Sequence, residues 1–184
     1  MEDKYANPWK TESSRTVYSN PWIEVREDAV IRPDGKPGIY GVVHMKNKAI
    51  GVVPVDAAGN IYLVGQYRYT LNCYSWEIPE GGCPEGEEPL LAAQRELLEE
   101  TGLIAHSWQV LGIAHLSNSV TDEEATCYLA TDLEQGEAQP EGTEKLEIIR
   151  IPFTEALAMV ERGEITDALS VLGITRYALA QTSG

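Results

Sequence analysis

The sequence has few of the residues that build disulfide frameworks, zinc sites or nucleic-acid-binding surfaces. Its 184 residues include three cysteines and three histidines. The cysteines form no CxxC pair and the histidines have no metal-ligand spacing, which argues against a zinc site and a disulfide framework. Only 14 lysines and arginines stand against 29 acidic residues, and the net charge is −15. With no basic run, a nucleic-acid partner is not expected.

Long hydrophobic runs are also missing. No apolar stretch approaches the roughly 20 residues that span a bilayer, and the first residues lack the basic and then apolar pattern of a signal peptide. The sequence therefore predicts a cytoplasmic protein with no membrane partner. Hydrophobic residues make up 43% and charged residues 23%, as in ordinary soluble domains. We expect an N-terminal arm and β-hairpin over residues 1–46 and one larger domain over residues 47–184.

Strand and helix patterns alternate along the chain and favour the α/β (α+β) class with a mixed sheet. Residues 1–20 are polar and predict a loosely held arm, and residues 22–32 and 38–46 predict a hairpin around the turn at Pro33-Asp34-Gly35. A second hairpin is expected over residues 49–66. The other predicted strands are residues 76–79, 110–116, 125–130 and 146–151. The predicted helices are residues 89–101, 155–162 capped by Thr154, and 168–180 capped by Asp167.

One stretch, from Gly81 to Leu103, carries the strongest chemical signal. Glu96, Glu99 and Glu100 lie three or four residues apart and share one helix face. Like charges at this spacing destabilise a helix unless a cation lies between them, and Mg²⁺ or Mn²⁺ prefers carboxylate ligands. The alternative is a solvated glutamate-rich helix, but that does not explain the flanking glycines. The helix therefore predicts a divalent-metal site.

The spacing of this stretch is G-x5-E-x7-R-E-U-x-E-E-x-G-U, where U is aliphatic, and it resembles the Nudix box of pyrophosphate hydrolases. Every specified position matches: Gly81, Glu87, Arg95, Glu96, Leu97, Glu99, Glu100, Gly102 and Leu103. The resemblance implies an α/β/α sandwich with a mixed sheet. It implies Glu96, Glu100 and the backbone carbonyl of Glu80 as metal ligands, with Glu99 as a further ligand or as the partner of a metal-bound water. Arg95 would hold the glutamates in register, and Glu87 would tie the loop to the helix.

Segments outside the box resemble the ADP-ribose pyrophosphatase, or nucleoside diphosphate sugar hydrolase, branch of this family. They are Asn20-Pro21-Trp22, Pro33-Asp34-Gly35, Gln66-Tyr67-Arg68-Tyr69, Trp76-Glu77-Ile78-Pro79-Glu80-Gly81-Gly82 and Gly163-Glu164-Ile165-Thr166-Asp167-Ala168. The resemblance implies cleavage of a nucleoside diphosphate sugar into a nucleoside monophosphate and a sugar phosphate. One loop, Ser117-Asn118-Ser119, departs from the Ser-Pro-Gly-like loop of ADP-ribose-specific relatives. This departure favours a broader range that includes GDP-mannose.

The same resemblance assigns substrate contacts. Trp22 and Tyr40 would sandwich the base, with the two aromatics of one site supplied by different subunits of a homodimer. Their alternative is a place in the strand core. Arg68 would bind the diphosphate, and its alternative is a surface salt bridge. Glu123 would contact metal or water.

The general base is expected on an acidic loop at residues 139–147, where Glu147 matches best by position and Glu144 is second. Glu100 and Arg95 complete the catalytic set. A structural or interaction protein has no sequence feature in its favour, and two other functions stay open. One is a Nudix pyrophosphatase that acts on nucleoside triphosphates or another dinucleotide. The other is a non-catalytic module that only binds a nucleotide sugar.

Overall fold

The computed structural model describes residues 5–136 and 146–182. The chain divides into two compact units. Unit 1 comprises Met1–Asn47 and His115–Glu123, and unit 2 comprises Lys48–Ala114 and Glu124–Gly184. Within the described parts of the chain, no helix has both the length and the apolar character needed to cross a membrane.

Unit 1 is built on a three-stranded antiparallel sheet in the order β1-β2-β3. Its strands are β1 (Lys10–Ser19), β2 (Ile23–Ile31) and β3 (Pro37–Met45). The turn between β2 and β3 places Gly35 at φ 79°, a backbone conformation that glycine adopts without steric cost. Gly35 N–H donates to the Arg32 carbonyl at 2.8 Å. The predicted hairpin is therefore confirmed.

The expectation of a loose arm over residues 1–20 is wrong for its second half. Strand β1 pairs with β2 from Lys10 to Ser19. Its residues are exposed throughout, so no hydrophobic face announces the strand. Threonines, Val17 and Tyr18 favour an extended chain, and the backbone ladder with β2 holds the segment. The polar, fully exposed sequence of β1 therefore did not indicate a strand, because the strand is held by its pairing with β2.

The residues of unit 2 that the structure describes form two sheets and three helices. Its strands are β4 (Asn47–Pro54), β5 (Asn60–Arg68), β6 (Cys73–Glu77), β7 (Glu80–Pro84), β8 (Leu103–His115), β9 (Glu124–Gln135) and β10 (Glu147–Pro152). Its helices are α1 (Pro89–Thr101), α2 (Phe153–Glu161) and α3 (Ala168–Thr182). One sheet has the order β10-β5-β6 and is antiparallel. The other has the order β7-β4-β9-β8 and includes the parallel pair β4–β9.

Strand β4 shows how helices cover both faces of this mixed sheet. Ile50 and Val52 are fully buried in a cluster with α1 residues. Successive strand residues point to opposite faces, and Gly51 and Val53 accordingly lie against α3. A Cβ on Gly51 would come within 2.7 Å of Leu169, and α3 comes so close that Gly173 has no room for one beside Val53. The predicted α/β class and the helix–sheet–helix layering are therefore confirmed.

Two local predictions in unit 2 are wrong. Residues 49–66 form the expected turn, closed by the isolated bridge Val55–Ile61, but β4 and β5 do not pair and belong to different sheets. Helix α2 begins at Phe153 with Pro152 as its N-cap, so Thr154 lies inside the helix. The cap predicted for α3 is confirmed, since Ser170 N–H donates to Asp167 Oδ2 at 2.7 Å.

Candidate active site

Helix α1 has the bounds that the sequence predicts, Pro89–Thr101, so its glutamates occupy the helical positions expected from their spacing. Pro89 occupies the first turn, where its missing N–H costs nothing. Gly102 ends the helix at φ 71° and donates its N–H to the Leu98 carbonyl at 2.9 Å. Ala93 and Leu97 are fully buried and fix which side of α1 meets the core. Packing of this apolar side fixes the rotation of α1 about its axis, and this determines the directions in which its glutamate side chains point.

The first of these carboxylates, on Glu96, rests against the backbone of β7 at Gly81. A Cβ on Gly81 would meet the Glu96 carboxyl group well inside 3.0 Å, closer than real Cβ atoms come. Gly81 does not have a positive φ, so the glycine is needed for space and not for backbone conformation. The box glycine therefore makes a cradle for a carboxylate.

Glu100 reaches the same strand one residue earlier. Its residue is only 4% exposed, and its Oε2 accepts a hydrogen bond from the Glu80 N–H at 3.0 Å. Glu96 and Glu100 thus meet β7 at adjacent residues, beside the Glu80 carbonyl group. Carboxylate and carbonyl oxygens are the donors that Mg²⁺ and Mn²⁺ prefer. The donor set therefore fits such a cation, and the space at Gly81 lets the Glu96 carboxyl group lie beside the Glu80 carbonyl.

Arg95 ties the helix to the loop before it. Its Nη1 donates to Glu96 Oε1 at 2.7 Å and to Glu99 Oε2 at 3.1 Å. Its Nη2 donates to the Gly82 carbonyl at 2.8 Å and to Glu87 Oε2 at 3.1 Å. One guanidinium therefore contacts three carboxylates and holds them at fixed positions, as the box spacing suggests.

Arg68, at the end of β5, lies among carboxylates. Its Nη2 is 2.6 Å from Glu77 Oε2 and also pairs with Glu80 Oε1, while its Nε donates to Glu77 Oε1 at 2.9 Å. Glu77 is only 2% exposed, so this is more than a surface ion pair. Binding of the diphosphate by Arg68 stays a prediction, and it would have to occur beside these two partners.

The carboxylates around Arg68 form a cluster that sequence reasoning missed. Ligand oxygens of Glu77, Glu80 and Asp167 all lie within 4.8 Å of one another. Burial raises the pKa of Glu80 well above its usual value, and the charges of Asp167 and Glu77 add to this while Arg68 opposes it. The sequence did not indicate this cluster because its members come from three separate places: β6, β7 and the residue directly before α3.

Glu147, the preferred candidate for the general base, begins β10 opposite Gly65 of β5. Its Oε2 accepts a hydrogen bond from the Tyr74 hydroxyl at 3.1 Å. A Cβ on Gly65 would meet this hydroxyl and come within 2.6 Å of the Trp76 ring, so all four residues share one face of the sheet.

Arg68 and Glu77 lie on the other face of that sheet. Glu77 pairs with Val64, one residue from Gly65, and side chains alternate between faces. The structure therefore places Glu147 and the Arg68 cluster on opposite faces of β5 and β6. Glu144, the second candidate base, lies outside the described residues.

The other predicted substrate residues belong to unit 1. Trp22 is 66% exposed, which argues against a place in the strand core. Tyr40 is half-buried, donates its hydroxyl to the Ser119 carbonyl at 3.0 Å, and packs edge-on against Trp9 with 5.2 Å between ring centroids. Glu123 closes the 115–123 segment, where its carbonyl accepts from Leu116 N–H at 3.0 Å. Their contacts with substrate stay predictions.

Comparisons with known proteins point to one family. Residues 45–169 match the NUDIX domain model, and residues 9–43 match that of the nucleoside diphosphate sugar hydrolase N-terminal domain. The ADP-ribose pyrophosphatase of Mycobacterium tuberculosis is 36% identical over 169 residues, 90% of this chain and 81% of that protein. The ADP-ribose pyrophosphatase of Bacillus subtilis is 32% identical over 174 residues, 94% of each chain.

A solved structure described as an ADP compounds hydrolase has the same fold. It superposes with a TM-score of 0.84 at 21% sequence identity and covers 98% of both chains. Together with the matched domain model, these findings show that the chain belongs to the NUDIX family of hydrolases. Members of this family use divalent cations, which agrees with the acidic character of the site.

Proposed function

We propose that this protein hydrolyses the diphosphate of ADP-ribose and related nucleoside diphosphate sugars, such as GDP-mannose, in the presence of Mg²⁺ or Mn²⁺. The products are a nucleoside monophosphate and a sugar phosphate. The observation that carries this proposal is the Glu96 carboxylate cradled at Gly81 and bound by Arg95. The matched N-terminal model over residues 9–43 and the two pyrophosphatases that resemble most of this chain support the substrate class.

The proposed cation ligands are Glu96, Glu99, Glu100 and the Glu80 carbonyl. A bound cation supplies charge neutralisation on the diphosphate and polarises its phosphoryl oxygens. The chain itself supplies position. Arg95 holds Glu96 and Glu99 through hydrogen bonds of 2.7 and 3.1 Å, and the Glu80 N–H holds Glu100. Preorganised ligands of this kind spare the site a rearrangement during the reaction.

For the general base we favour Glu144 over Glu147. The Glu147 carboxylate accepts a hydrogen bond from Tyr74 on the sheet face opposite Arg68 and Glu77. Glu80, whose carbonyl is a proposed cation ligand, has its side chain paired with Arg68. A base must reach the attacking water within hydrogen-bond distance. We expect Glu144→Gln to lower kcat by about 10²–10⁴-fold, the usual contribution of a general base, and Glu147→Gln to lower it much less. The reverse order would restore Glu147 as the base.

The base clamp requires two subunits in this proposal. The Trp22 carbonyl accepts from Lys46 N–H at 2.9 Å, so Trp22 lies beside Lys46, and Tyr40 lies six residues away on β3. At about 3.4 Å per residue this is roughly 20 Å along the strand, and strand side chains stand perpendicular to the sheet. At this separation we do not expect Trp22 and Tyr40 of one chain to stack on both faces of one base. A homodimer that pairs Trp22 of one chain with Tyr40 of the other resolves this.

Subunit mixing tests the clamp. Trp22→Ala and Tyr40→Ala should each weaken substrate binding, since stacking of one base on an aromatic ring contributes about 1–3 kcal/mol. When the two variants are unfolded together and refolded, half of the dimers should be mixed, and each mixed dimer should have one intact site. Activity should then recover to about a quarter of the wild-type value. If the mixture is no more active than the variants alone, the two aromatics do not come from different subunits.

The test of the whole proposal is a product-release assay. ADP-ribose, GDP-mannose, UDP-glucose and deoxyguanosine triphosphate are each incubated with Mg²⁺, with Mn²⁺ or with EDTA. We expect monophosphate release from ADP-ribose or GDP-mannose with metal, none with EDTA, and a loss of orders of magnitude in Glu100→Gln. Cleavage of the triphosphate alone would replace the substrate assignment with a nucleoside triphosphatase. Binding of a nucleotide sugar without turnover would indicate a non-catalytic module.

A further inference from the structure

Residues 78–80 connect the two helix-covered faces of unit 2. Ile78 N–H donates to Ser170 Oγ of α3 at 2.9 Å. The Pro79 carbonyl accepts from Val52 N–H of β4 at 2.8 Å, and Glu80 N–H donates to Glu100 Oε2 of α1 at 3.0 Å. Three consecutive residues are thus held by three different elements. The carbonyl group of the last of these residues, Glu80, is a proposed cation ligand.

The Ser170 contact is fully buried and tightly packed. Ser170 and Ile78 are both 0% exposed. The Ile78 side chain lies between two glycines, such that a Cβ on Gly51 would come within 2.8 Å of it and one on Gly173 within 3.3 Å. A buried backbone N–H that loses its acceptor carries a free-energy cost that water does not relieve. Ile78 is therefore held at its backbone by one hydroxyl group and at its side chain by close packing.

The position of Ser170 is itself fixed. Its N–H donates to Asp167 Oδ2 at 2.7 Å, which caps the first turn of α3. The start of α3 therefore cannot rotate freely under Ile78. A chain of contacts runs from Asp167 through Ser170 and Ile78 to Glu80 and Glu100.

We propose that Ser170, which lies on α3 and hydrogen-bonds to Ile78 rather than to a proposed ligand, is a positioning residue for the cation site. It fixes Ile78 and so sets where the Glu80 carbonyl and the N–H that holds Glu100 are placed. This inference rests on the proposed function, because it takes Glu80 and Glu100 as cation ligands. Groups that orient metal ligands commonly affect metal affinity by about 10–100-fold when they are removed.

The test is Ser170→Ala in the full-length protein, with Mn²⁺ binding followed directly by the electron paramagnetic resonance signal of free Mn²⁺. We expect the dissociation constant for Mn²⁺ to rise about tenfold or more. At saturating Mn²⁺, the KM for substrate should stay within about twofold of wild type, because Ser170 acts through the ligands alone. An unchanged Mn²⁺ dissociation constant in a folded Ser170→Ala variant would overturn the proposal.

Ile174→Val is the matched control, since Ile174 is also 0% exposed on α3 and lies one helical turn beyond Ser170. It should lower the melting temperature but leave Mn²⁺ binding unchanged. A rise in the Mn²⁺ dissociation constant for both variants in proportion to lost stability would reduce Ser170 to a structural residue. If Ser170→Ala does not fold, Ser170→Cys, whose sulfur is a weaker acceptor, takes its place in the same comparison.

Glu100→Gln separates the two proposals. Wild-type Mn²⁺ binding that Glu100→Gln abolishes supports the cation site whatever the result at Ser170. Wild-type binding that Glu100→Gln leaves intact would remove the site itself, and with it the basis for this inference.

Discussion

Gly81→Ala should separate metal binding from folding. The added methyl group would meet the Glu96 carboxyl group well inside 3.0 Å, whereas an ordinary van der Waals contact spans 3.4–4 Å. The carboxyl group is the far end of a flexible side chain, so it yields before the backbone does. We expect it to retreat by about 1 Å. Gly81 does not have a positive φ, and alanine can adopt its conformation without strain.

The expected magnitude follows from this displacement. Mg²⁺ demands oxygen ligands at about 2.0–2.1 Å in near-ideal geometry, with a tolerance of about 0.2 Å. A retreat of about 1 Å exceeds that tolerance several times over, so Glu96 is lost as a ligand. The loss should reach at least the 10–100-fold associated with mispositioned ligands, or about 1.4–2.8 kcal/mol. Folding stability should change by no more than about 1 kcal/mol, the usual range for glycine-to-alanine changes without strain.

The assay is isothermal titration with Mn²⁺ beside a thermal melt in EDTA. Gly41→Ala is the control, since a Cβ there meets nothing within 4 Å, and it should change neither measurement appreciably. If Gly81→Ala binds Mn²⁺ as tightly as wild type, Glu96 is not a ligand in the orientation seen here. If it unfolds instead, the glycine serves the fold and the cradle argument is wrong.

Three further predictions concern packing and titration. Gly65→Ala should destabilise the fold by about 1–3 kcal/mol, as overpacking does, because a Cβ would come within 2.6 Å of the rigid Trp76 ring; an unchanged urea midpoint would contradict this. Exposed Cys73 should react with a thiol reagent in the native protein, whereas Cys127 should react only on unfolding, because it is buried and burial raises its pKa to about 12. Burial raises the pKa of Glu80 above the usual 4.5, so its contribution to stability is greatest below pH 4.5 and falls as pH rises towards the folded pKa. Glu80→Gln should therefore show a shallower decline of melting temperature above pH 5 in EDTA than wild type, and an equal slope would refute this assignment.

The parts of the site that the sequence predicted are those built from short-range contacts. Gly81 lies in β7, Glu87 in the loop that follows, and Arg95 and Glu96 in α1, so the whole set comes from one short strand–loop–helix stretch. Within the helix, the 3.6-residue repeat places Arg95 beside Glu99. The helix bounds followed from Pro89 and a left-handed glycine after the last turn. Here the local sequence and the tertiary structure agree, so the motif was sufficient to predict the bounds of α1 and the grouping of its charged residues.

Long-range pairings were not predictable in the same way. The burial of Arg68 against Glu77 depends on the antiparallel register of β5 and β6. The approach of Glu80 to Asp167 depends on where α3 meets the sheet. Taken alone, Arg68 was explained as an arginine at the end of a strand and Asp167 as a helix cap. Strand β1 was missed for a related reason, since a strand exposed on both faces lacks the alternation that identifies one.

Glu147 remains a candidate base that no finding tests, and it shows how strongly the direction of a side chain near the start of a strand depends on register. Side chains in a strand alternate between faces, so a shift of one residue in register moves a carboxylate to the other side of the sheet. The observed register pairs Glu147 with Gly65, on the face of Tyr74. The glycine inside β5 was the available signal, because a strand glycine often marks the close approach of another group. That group is the Tyr74 hydroxyl, which donates a hydrogen bond to Glu147, and this contact is the reason that the proposed function favours Glu144 as the base.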